Sequence, residues 1–133
     1  MTATSLKACV IDDDNVYVFG IKKLLQLGNL ANEVVEFYNG FEAITYFRSN
    51  TVDEELPDII FLDINMPGMN GWEFLDEYAS LPLKKNIPIY MVSSSINAED
   101  KTRALSFNSI KEYITKPITL AELKEIFSTQ SPN

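Results

Sequence analysis

A short, wholly apolar stretch that ends on an acid constrains this chain more than any other feature. Ile59 to Leu62 are four consecutive apolar residues, the pattern of a strand buried on both faces at the centre of a parallel sheet. Asp63 follows directly, and Pro67 and Gly68 then predict a turn. Ligands of open α/β sheets bind at the carboxyl ends of the strands, so we expect Asp63 to lie in a crevice and to be functional.

Length and charge limit the classes of partner. The 133 residues suit one domain with its own core, and we expect a single domain over residues 1–133. The formal net charge of −8 disfavours nucleic acid and anionic membranes as partners, and favours metal cations or basic protein surfaces. Residues 1–7 lack the apolar core of a signal peptide and no apolar run is long enough to span a membrane, so we expect a cytoplasmic protein. The single cysteine, Cys9, lies in an apolar run, which predicts a buried structural thiol.

Five short segments have the composition of strands. In chain order they are Ala8 to Ile11, about Glu33 to Phe37, Ile59 to Leu62, Ile87 to Val92 and Tyr113 to Thr115. Helix signals stand between these segments and after the last of them. This alternation predicts βαβ units, and therefore a parallel sheet covered by helices on both faces.

Five helices are predicted, one after each strand. The first extends from Val16 to Leu27, where apolar residues recur at helical spacing, and Gly28 ends it. The apolar residues that indicate this spacing are Val16, Phe19, Leu24 and Leu27. The other four helices begin where a capping residue is followed by an acid three positions later, at Asn39, Asn70, Asn97 and Thr119.

Acidic residues meet at one edge of the sheet if the strand ends are aligned. Asp12 and Asp13 follow the first strand, and Asp63 follows the third. Three neighbouring carboxylates repel one another and raise one another's pKa unless a cation lies among them. Mg²⁺ prefers such oxygen ligands and commonly combines carboxylates with a phosphate oxygen, so the pattern favours a metal site. Taken alone, the acidic run favours a solvated loop with a helix cap at Asp14 or Asn15.

Two further polar side chains follow the last two strands. Ser93 comes after the fourth strand, where a hydroxyl could bond a phosphate oxygen, although serines there commonly form only turns. Lys116 comes after the fifth strand and is the one cation expected beside the acids, which favours an ion pair or a phosphate contact. Pro117 places Lys116 in extended backbone and allows a cis peptide bond. Tyr113 is by pattern an ordinary strand aromatic.

In combination these segments resemble the receiver domain of two-component response regulators, of the stand-alone, chemotaxis-regulator-like kind. The matching stretches are Val10-Ile11-Asp12-Asp13-Asp14, residues 58–71 around Asp63, Pro88-Ile89-Tyr90-Met91-Val92-Ser93 and Tyr113-Ile114-Thr115-Lys116-Pro117. The resemblance covers about residues 7–127. It implies a three-layer, doubly wound, five-stranded parallel sheet with strand order 2-1-3-4-5, the flavodoxin-like fold.

The resemblance also implies the chemistry at this edge. Asp63 would accept a phosphoryl group from the phosphohistidine of a sensor histidine kinase or of a histidine phosphotransfer protein. Asp13, Asp63 and the backbone carbonyl of Asn65 would bind Mg²⁺ or Mn²⁺ directly, and Asp12 would assist through water. Lys116 would pair with the phosphoryl group. Such a chain is a signalling phospho-acceptor that catalyses only its own phosphorylation and dephosphorylation, not an enzyme.

A conformational switch is implied by the same resemblance. Ser93 would be the switch hydroxyl and Tyr113 the switch aromatic, turning into space that Ser93 vacates. The surface that changes would be the face from Ala98 to Phe127, to which a downstream protein target would bind.

Other functions remain to be weighed against this one. A phosphatase of the haloacid dehalogenase type needs a second Asp two residues after the first, and Asn65 stands there, which cannot act as the general acid. A flavodoxin-like binder would need a phosphate loop after the first strand, where Asp12, Asp13 and Asp14 would repel a phosphate. A degenerate receiver that serves only as an interaction module is disfavoured by the complete set of acceptor, acids, hydroxyl and lysine.

The output of such a receiver stays open between two possibilities. The sequence ends soon after the fifth helix, so we expect no DNA-binding or catalytic output domain and a protein that acts by binding another protein. The alternative is a relay intermediate that passes the phosphoryl group to a histidine phosphotransfer protein.

Overall fold

Five parallel strands alternate with five helices in the computed structural model, which describes residues 6–50 and 55–129. The elements are β1 (Lys7–Ile11), α1 (Asn15–Leu27), β2 (Glu33–Phe37), α2 (Gly40–Ser49), β3 (Ile59–Leu62), α3 (Gly71–Tyr78), β4 (Ile89–Ser93), α4 (Ala98–Leu105), β5 (Ile110–Thr115) and α5 (Leu120–Ser128). Residues 1–5 and 130–133, which bear on the expectations of no signal peptide and no output domain, lie outside the described part.

The strands form one sheet in the order β2-β1-β3-β4-β5, and every neighbouring pair is parallel. This confirms the predicted fold class and strand order. All four residues of β3 are buried, as expected of a strand with neighbours on both sides and helices above and below. Among the described residues no helix is both long enough and apolar enough to cross a membrane.

Successive side chains of β3 pack into two separate cores, one on each face of the sheet. Ile59 and Phe61 belong to the core beneath α1 and α5, where the rings of Phe61 and Phe127 lie 6.3 Å apart. Ile60 and Leu62 belong to the other core, beneath α2, α3 and α4. Cys9 is fully buried in that second core, which confirms its prediction as a buried thiol. The alternation follows from the two-residue period of a strand.

The predicted helix starts are confirmed by their caps. The Asp14 carboxylate accepts hydrogen bonds from the backbone N–H groups of Val16 and Tyr17, so Asp14 caps α1. Asn39, Asn70, Asn97 and Thr119 cap the other four helices. At α3 and α5 the acid three positions later completes a capping box, which satisfies two otherwise unpaired backbone donors.

The helix α1 was predicted correctly, but its apolar stripe is not the buried one. Val16, Phe19 and Leu27 are 81%, 63% and 73% exposed. The buried residues of α1 are Val18, Ile21 and Leu25. Apolar residues occur almost all round this helix, so helical spacing fits two different stripes, and the sequence alone does not choose between them.

Two strand starts differ from the sequence prediction by more than one residue. β4 begins at Ile89 instead of Ile87, because Pro88 has no N–H to donate to a neighbouring strand. β5 begins at Ile110, three residues before the predicted start. The sequence did not indicate this start, because Lys111 and Glu112 are polar and break the apolar pattern of a buried strand. Both side chains are exposed, since β5 is the edge strand.

The turn after β3 places α3 directly against the end of that strand. Gly68 has φ = 74°, in the left-handed region that favours glycine. The N–H of Gly71 donates to the carbonyl of Ile64 at 2.7 Å. A Cβ atom on Gly71 would collide with the carbonyl oxygen of Asp63. The first residue of α3 must therefore be glycine for Asp63 to keep its place.

We predict that Gly71→Ala lowers the free energy of unfolding by about 1–3 kcal/mol, because backbone at the end of β3 must shift to admit the methyl group. The measurement is urea denaturation followed by circular dichroism. Gly20→Ala is the matched control: a Cβ atom there meets nothing within 4 Å, and we expect it to stabilise the helix by up to about 1 kcal/mol. Equal midpoints for the two variants would contradict this account of the turn.

Candidate functional site

Backbone hydrogen bonds between neighbouring strands hold the predicted site residues at one edge of the sheet. At the ends of β1, β3 and β5 the residue just past the strand donates its N–H to the neighbouring strand: Asp12 to the carbonyl of Phe37 at 3.0 Å, Asp63 to that of Ile11 at 2.9 Å, and Lys116 to that of Ser93 at 2.8 Å. The parallel ladder thus continues for one more residue at three strand ends. The positions of these side chains are therefore fixed by the sheet and not by flexible loops.

Three acids come together at this edge. Carboxylate oxygens of Asp12, Asp13 and Asp63 all lie within 4.8 Å of one another. Asp12 and Asp63 are buried, at 1% and 6% exposure, whereas Asp13 is exposed. A set of hard anionic oxygens at this spacing, open to solvent on one side, fits Mg²⁺ or Mn²⁺.

Lys116 supplies positive charge inside this acidic cluster. Its Nζ lies 2.8 Å from an oxygen of Asp12 and 3.7 Å from an oxygen of Asp63. The peptide bond between Lys116 and Pro117 is cis, as the sequence allowed. The lysine side chain is 17% exposed, so its pairing with the acids occurs largely out of bulk water.

Burial and mutual repulsion alter the protonation of the two buried acids. Burial is the largest cause that raises the pKa of Asp63, the charge of Asp12 adds to it, and the pKa reaches about 6 although Lys116 opposes the change. Burial also raises the pKa of Asp12, against the hydrogen bonds from Lys116 and from the N–H of Asp14. Asp63 is therefore largely ionised near neutral pH, as a nucleophile must be.

Ser93 and Tyr113 are connected through Ser95. The Ser93 hydroxyl is buried, and its oxygen accepts the N–H of Ser95 at 3.2 Å. The Tyr113 hydroxyl donates to the carbonyl of Ser95 at 2.8 Å, and the Ser95 hydroxyl donates to a carboxylate oxygen of Asp100 in α4 at 2.7 Å. The sequence analysis did not predict this link, because a loop backbone group joins the two side chains.

Asn65 is the remaining predicted site residue. It lies two residues after Asp63 with its side chain exposed. Its backbone carbonyl as a metal ligand stays a prediction.

One residue at the site was missed by sequence reasoning. The Nζ of Lys116 lies 4.3 Å from the centroid of the Tyr17 ring, on α1. Tyr17 stands four residues before the buried Ile21, and thus on the inward stripe of the helix. Had the sequence analysis identified the buried stripe of α1, it would have predicted that Tyr17 faces the site.

The raised pKa of Asp63 predicts a pH dependence of stability without metal. Between about pH 4 and pH 6 the folded state binds more protons than the unfolded state, so Asp63 makes stability fall as the pH rises through this window. Asp63→Asn removes the titration. From about pH 4 to pH 7.5 we expect the variant to gain roughly 2–3 kcal/mol in unfolding free energy relative to the unmodified chain.

Urea denaturation in chelating buffer at several pH values measures this difference. Asp76→Asn, which removes an exposed acid of α3, is the control and should keep the pH dependence of the unmodified chain. Parallel curves for the Asp63 variant and the unmodified chain would show that Asp63 does not carry the effect.

Comparison with known proteins agrees with this geometry. Residues 8–128 match the response regulator receiver domain family. The chain is 33% identical over 107 residues to the sensor histidine kinase CheAY of Helicobacter pylori, which covers 80% of this chain and 13% of that protein. The structure of a two-component response regulator from Cytophaga hutchinsonii superposes with a TM-score of 0.86 at 27% identity, covering 96% of this chain and 98% of that one. The phosphorylated cyanobacterial phytochrome response regulator RcpA gives a TM-score of 0.75 at 31% identity, covering 95% and 91% of the two chains.

The extent of these matches decides what they show. The chain spans 7% to 47% of the length of several curated relatives, so the activities and partners of those whole proteins do not transfer with the match. The family match itself covers nearly the entire chain. With the strand order and the acidic edge already described, it identifies this chain as a member of the response regulator receiver domain family of two-component signalling.

Proposed function

We propose that Asp63 of this receiver domain accepts a phosphoryl group from the phosphohistidine of a sensor histidine kinase or a histidine phosphotransfer protein. The observation that carries this proposal is the position of the Lys116 ammonium, 2.8 Å from Asp12 and 3.7 Å from Asp63 within a cluster of three carboxylates. Phosphoryl transfer requires mainly alignment and charge neutralisation, and these groups provide both. We also propose that the chain forms a single domain over residues 1–133 and acts in the cytoplasm.

The proposed transfer is a substitution at phosphorus. An ionised oxygen of Asp63 forms a bond to phosphorus while the bond from phosphorus to the imidazole nitrogen of the donor breaks. The imidazole leaves with the electron pair of that bond. The Lys116 ammonium lies close enough to Asp63 to bind an oxygen of the transferred group and to offset its charge.

A divalent cation fits the remaining acids. Asp13 and Asp63 would hold Mg²⁺ or Mn²⁺ directly with the backbone carbonyl of Asn65, and Asp12 would act through water. Bound there, the cation neutralises negative charge on the acceptor and on the phosphoryl oxygens. Burial is the largest cause of the raised pKa of Asp63, and the repulsion from Asp12 and Asp13 that adds to it is what such a cation would relieve.

Phosphorylation would change the contacts of the Ser93 hydroxyl. The phosphoryl group adds roughly two negative charges and new acceptor oxygens at Asp63. If Ser93 turns to donate to one of them, the N–H of Ser95 loses its present acceptor. Tyr113 and Asp100 both bond to Ser95, so the change reaches β5 and α4. The Ser93 hydroxyl would thus make different contacts with and without the phosphoryl group, and a shift between two conformations requires such a difference.

The output surface that we propose is the face from Ala98 to Phe127, to which a downstream protein would bind. Leu105 on this face is 50% exposed, and Ile96, two residues before Ala98 in the sequence, is 87% exposed. Both are therefore available to a partner. The family relative RcpA, at 31% identity, was solved in its phosphorylated form, which supports a phosphorylated state for this chain.

Loss of the acceptor gives the direct test of this function. We predict that Asp63→Asn abolishes acid-stable, base-labile labelling by radioactive phosphoramidate or acetyl phosphate with Mg²⁺, while circular dichroism shows an unchanged fold. Asp76→Asn, an exposed acid on α3, should be labelled like the unmodified chain. Persistent labelling of the Asp63 variant would place the acceptor elsewhere.

Metal binding gives an independent test. We predict that millimolar Mg²⁺ raises the melting temperature of the unmodified chain, since a ligand at one hundred times its dissociation constant adds about 2.7 kcal/mol of stability. Asp13→Asn should reduce the increase by removing a proposed ligand. Asp76→Asn again serves as the control. An identical melting temperature with and without Mg²⁺ would contradict the metal site.

A further inference from the structure

The aromatic ring of Tyr17 lies next to Lys116 at the acidic cluster. It comes from the first turn of α1, whereas the acids and Lys116 come from strand ends. The Lys116 Nζ lies 4.3 Å from the ring centroid, well within the range of a cation–π interaction. The same Nζ is 2.8 Å from Asp12, so the ammonium is held between a carboxylate and an aromatic face.

The hydroxyl group of Tyr17 does not account for the position of the ring against Lys116. Within the described residues the hydroxyl oxygen is buried and has no hydrogen-bond partner. An unpaired buried hydroxyl lowers stability, so contact with the hydroxyl does not hold the side chain in place. Burial and the nearby charges of Asp12, Asp63 and Glu122 raise the pKa of the phenol, which leaves the ring uncharged. The part of Tyr17 that interacts with the site is therefore the π face of its ring, which contacts Lys116.

We propose that Tyr17 is a positioning residue for Lys116, whose ring keeps the ammonium directed at the acceptor site. This inference rests on the proposed phosphoryl-acceptor function of Asp63. It assigns to α1 a part in aligning the cation that binds the transferred group.

The charge distribution explains why a neutral aromatic suits this position. Lys116 lies closer to Asp12 than to Asp63, yet it must serve a phosphoryl group on Asp63. A fourth carboxylate beside it would add repulsion to a cluster in which burial and repulsion already raise the pKa of Asp63. An aromatic face attracts the ammonium without adding charge, and it leaves the three N–H donors of the lysine for oxygens.

The kinetic test compares three single variants with a small phosphodonor, so that no protein docking surface is involved. Tyr17→Leu removes the π face, and we expect it to lower the maximal phosphorylation rate about three- to thirtyfold. Tyr17→Phe keeps the ring and should retain most of the rate. Phe19→Leu is the matched control on the same helix: Lys23 lies over the Phe19 ring at 5.2 Å, but Phe19 is on the exposed face. We expect no change in rate there.

Metal affinity is measured in parallel, to separate alignment of Lys116 from damage to the metal site. Isothermal titration calorimetry with MgCl₂ gives the Mg²⁺ dissociation constant of each variant. Tyr17→Leu should leave the Mg²⁺ dissociation constant unchanged. A loss of Mg²⁺ affinity that accounts for the lower rate would overturn the proposal.

A double-mutant cycle without metal tests the contact apart from the reaction. The shifts in urea midpoint of Tyr17→Leu and Lys116→Met should sum to more than the shift of the double variant, because each single change already breaks the shared contact. In the Lys116→Met background, Tyr17→Leu should have no further effect on the phosphorylation rate. If Tyr17→Leu does not fold, Tyr17→Met is held to the same criteria.

The outcomes separate failure of this inference from failure of the proposed function. Labelling of the unmodified chain with a normal rate for Tyr17→Leu would overturn the positioning role alone. So would an equal loss in Tyr17→Phe, which would implicate the hydroxyl, or an equal loss in Phe19→Leu, which would indicate a general effect of α1. Absence of labelling in the unmodified chain would end the proposed function, and the metal-free cycle would then decide whether Tyr17 and Lys116 are coupled.

Discussion

Repulsion among three carboxylates at one edge of the sheet is the constraint on which the rest of this structure depends. The parallel ladder brings Asp12, Asp13 and Asp63 within 4.8 Å of one another, so the fold itself creates the unfavourable charge. Lys116 offsets part of it, but burial first and the charge of Asp12 second still raise the pKa of Asp63 to about 6. Three close carboxylates favour a bound cation, and this agrees with the proposal of a phosphoryl transfer assisted by a divalent ion.

The same arrangement would connect the proposed phosphorylation with a change of conformation. The groups that would meet a phosphoryl group at Asp63 are also the groups that hold the loop after β4. Ser93 accepts the N–H of Ser95, and Tyr113 bonds to the carbonyl of the same residue. In the proposed switch, a new acceptor at Asp63 would compete with this contact of Ser93 and would thereby favour a second arrangement of the loop after β4. Ser95 then links the change to α4 through Asp100.

The alternation of strands and helices and most positions of the site follow from local sequence patterns, because buried strands, helix caps and strand-end acids are read from neighbouring residues. The strand order and the roles of Ser93 and Tyr113 were implied only by the family resemblance. The run from Ile59 to Leu62 ending on Asp63 predicted the central strand and the position of the acid. What failed depended on contacts distant in sequence. The stripe of α1 was misplaced because apolar residues surround the helix, and Tyr17 was missed with it. The start of β5 was hidden because an edge strand carries polar side chains, and the link through Ser95 uses backbone groups that carry no sequence signal.

The central claim is that a side-chain oxygen of Asp63 becomes bonded to phosphorus. Borohydride reduces an aspartyl phosphate to the corresponding alcohol, so treatment after exposure to phosphodonor and Mg²⁺, followed by peptide mass spectrometry, locates the modified acid. The account predicts homoserine in place of Asp63, with Asp12 and Asp13 intact. Reduction at another acid, or at none while the phosphodonor is consumed, would contradict it.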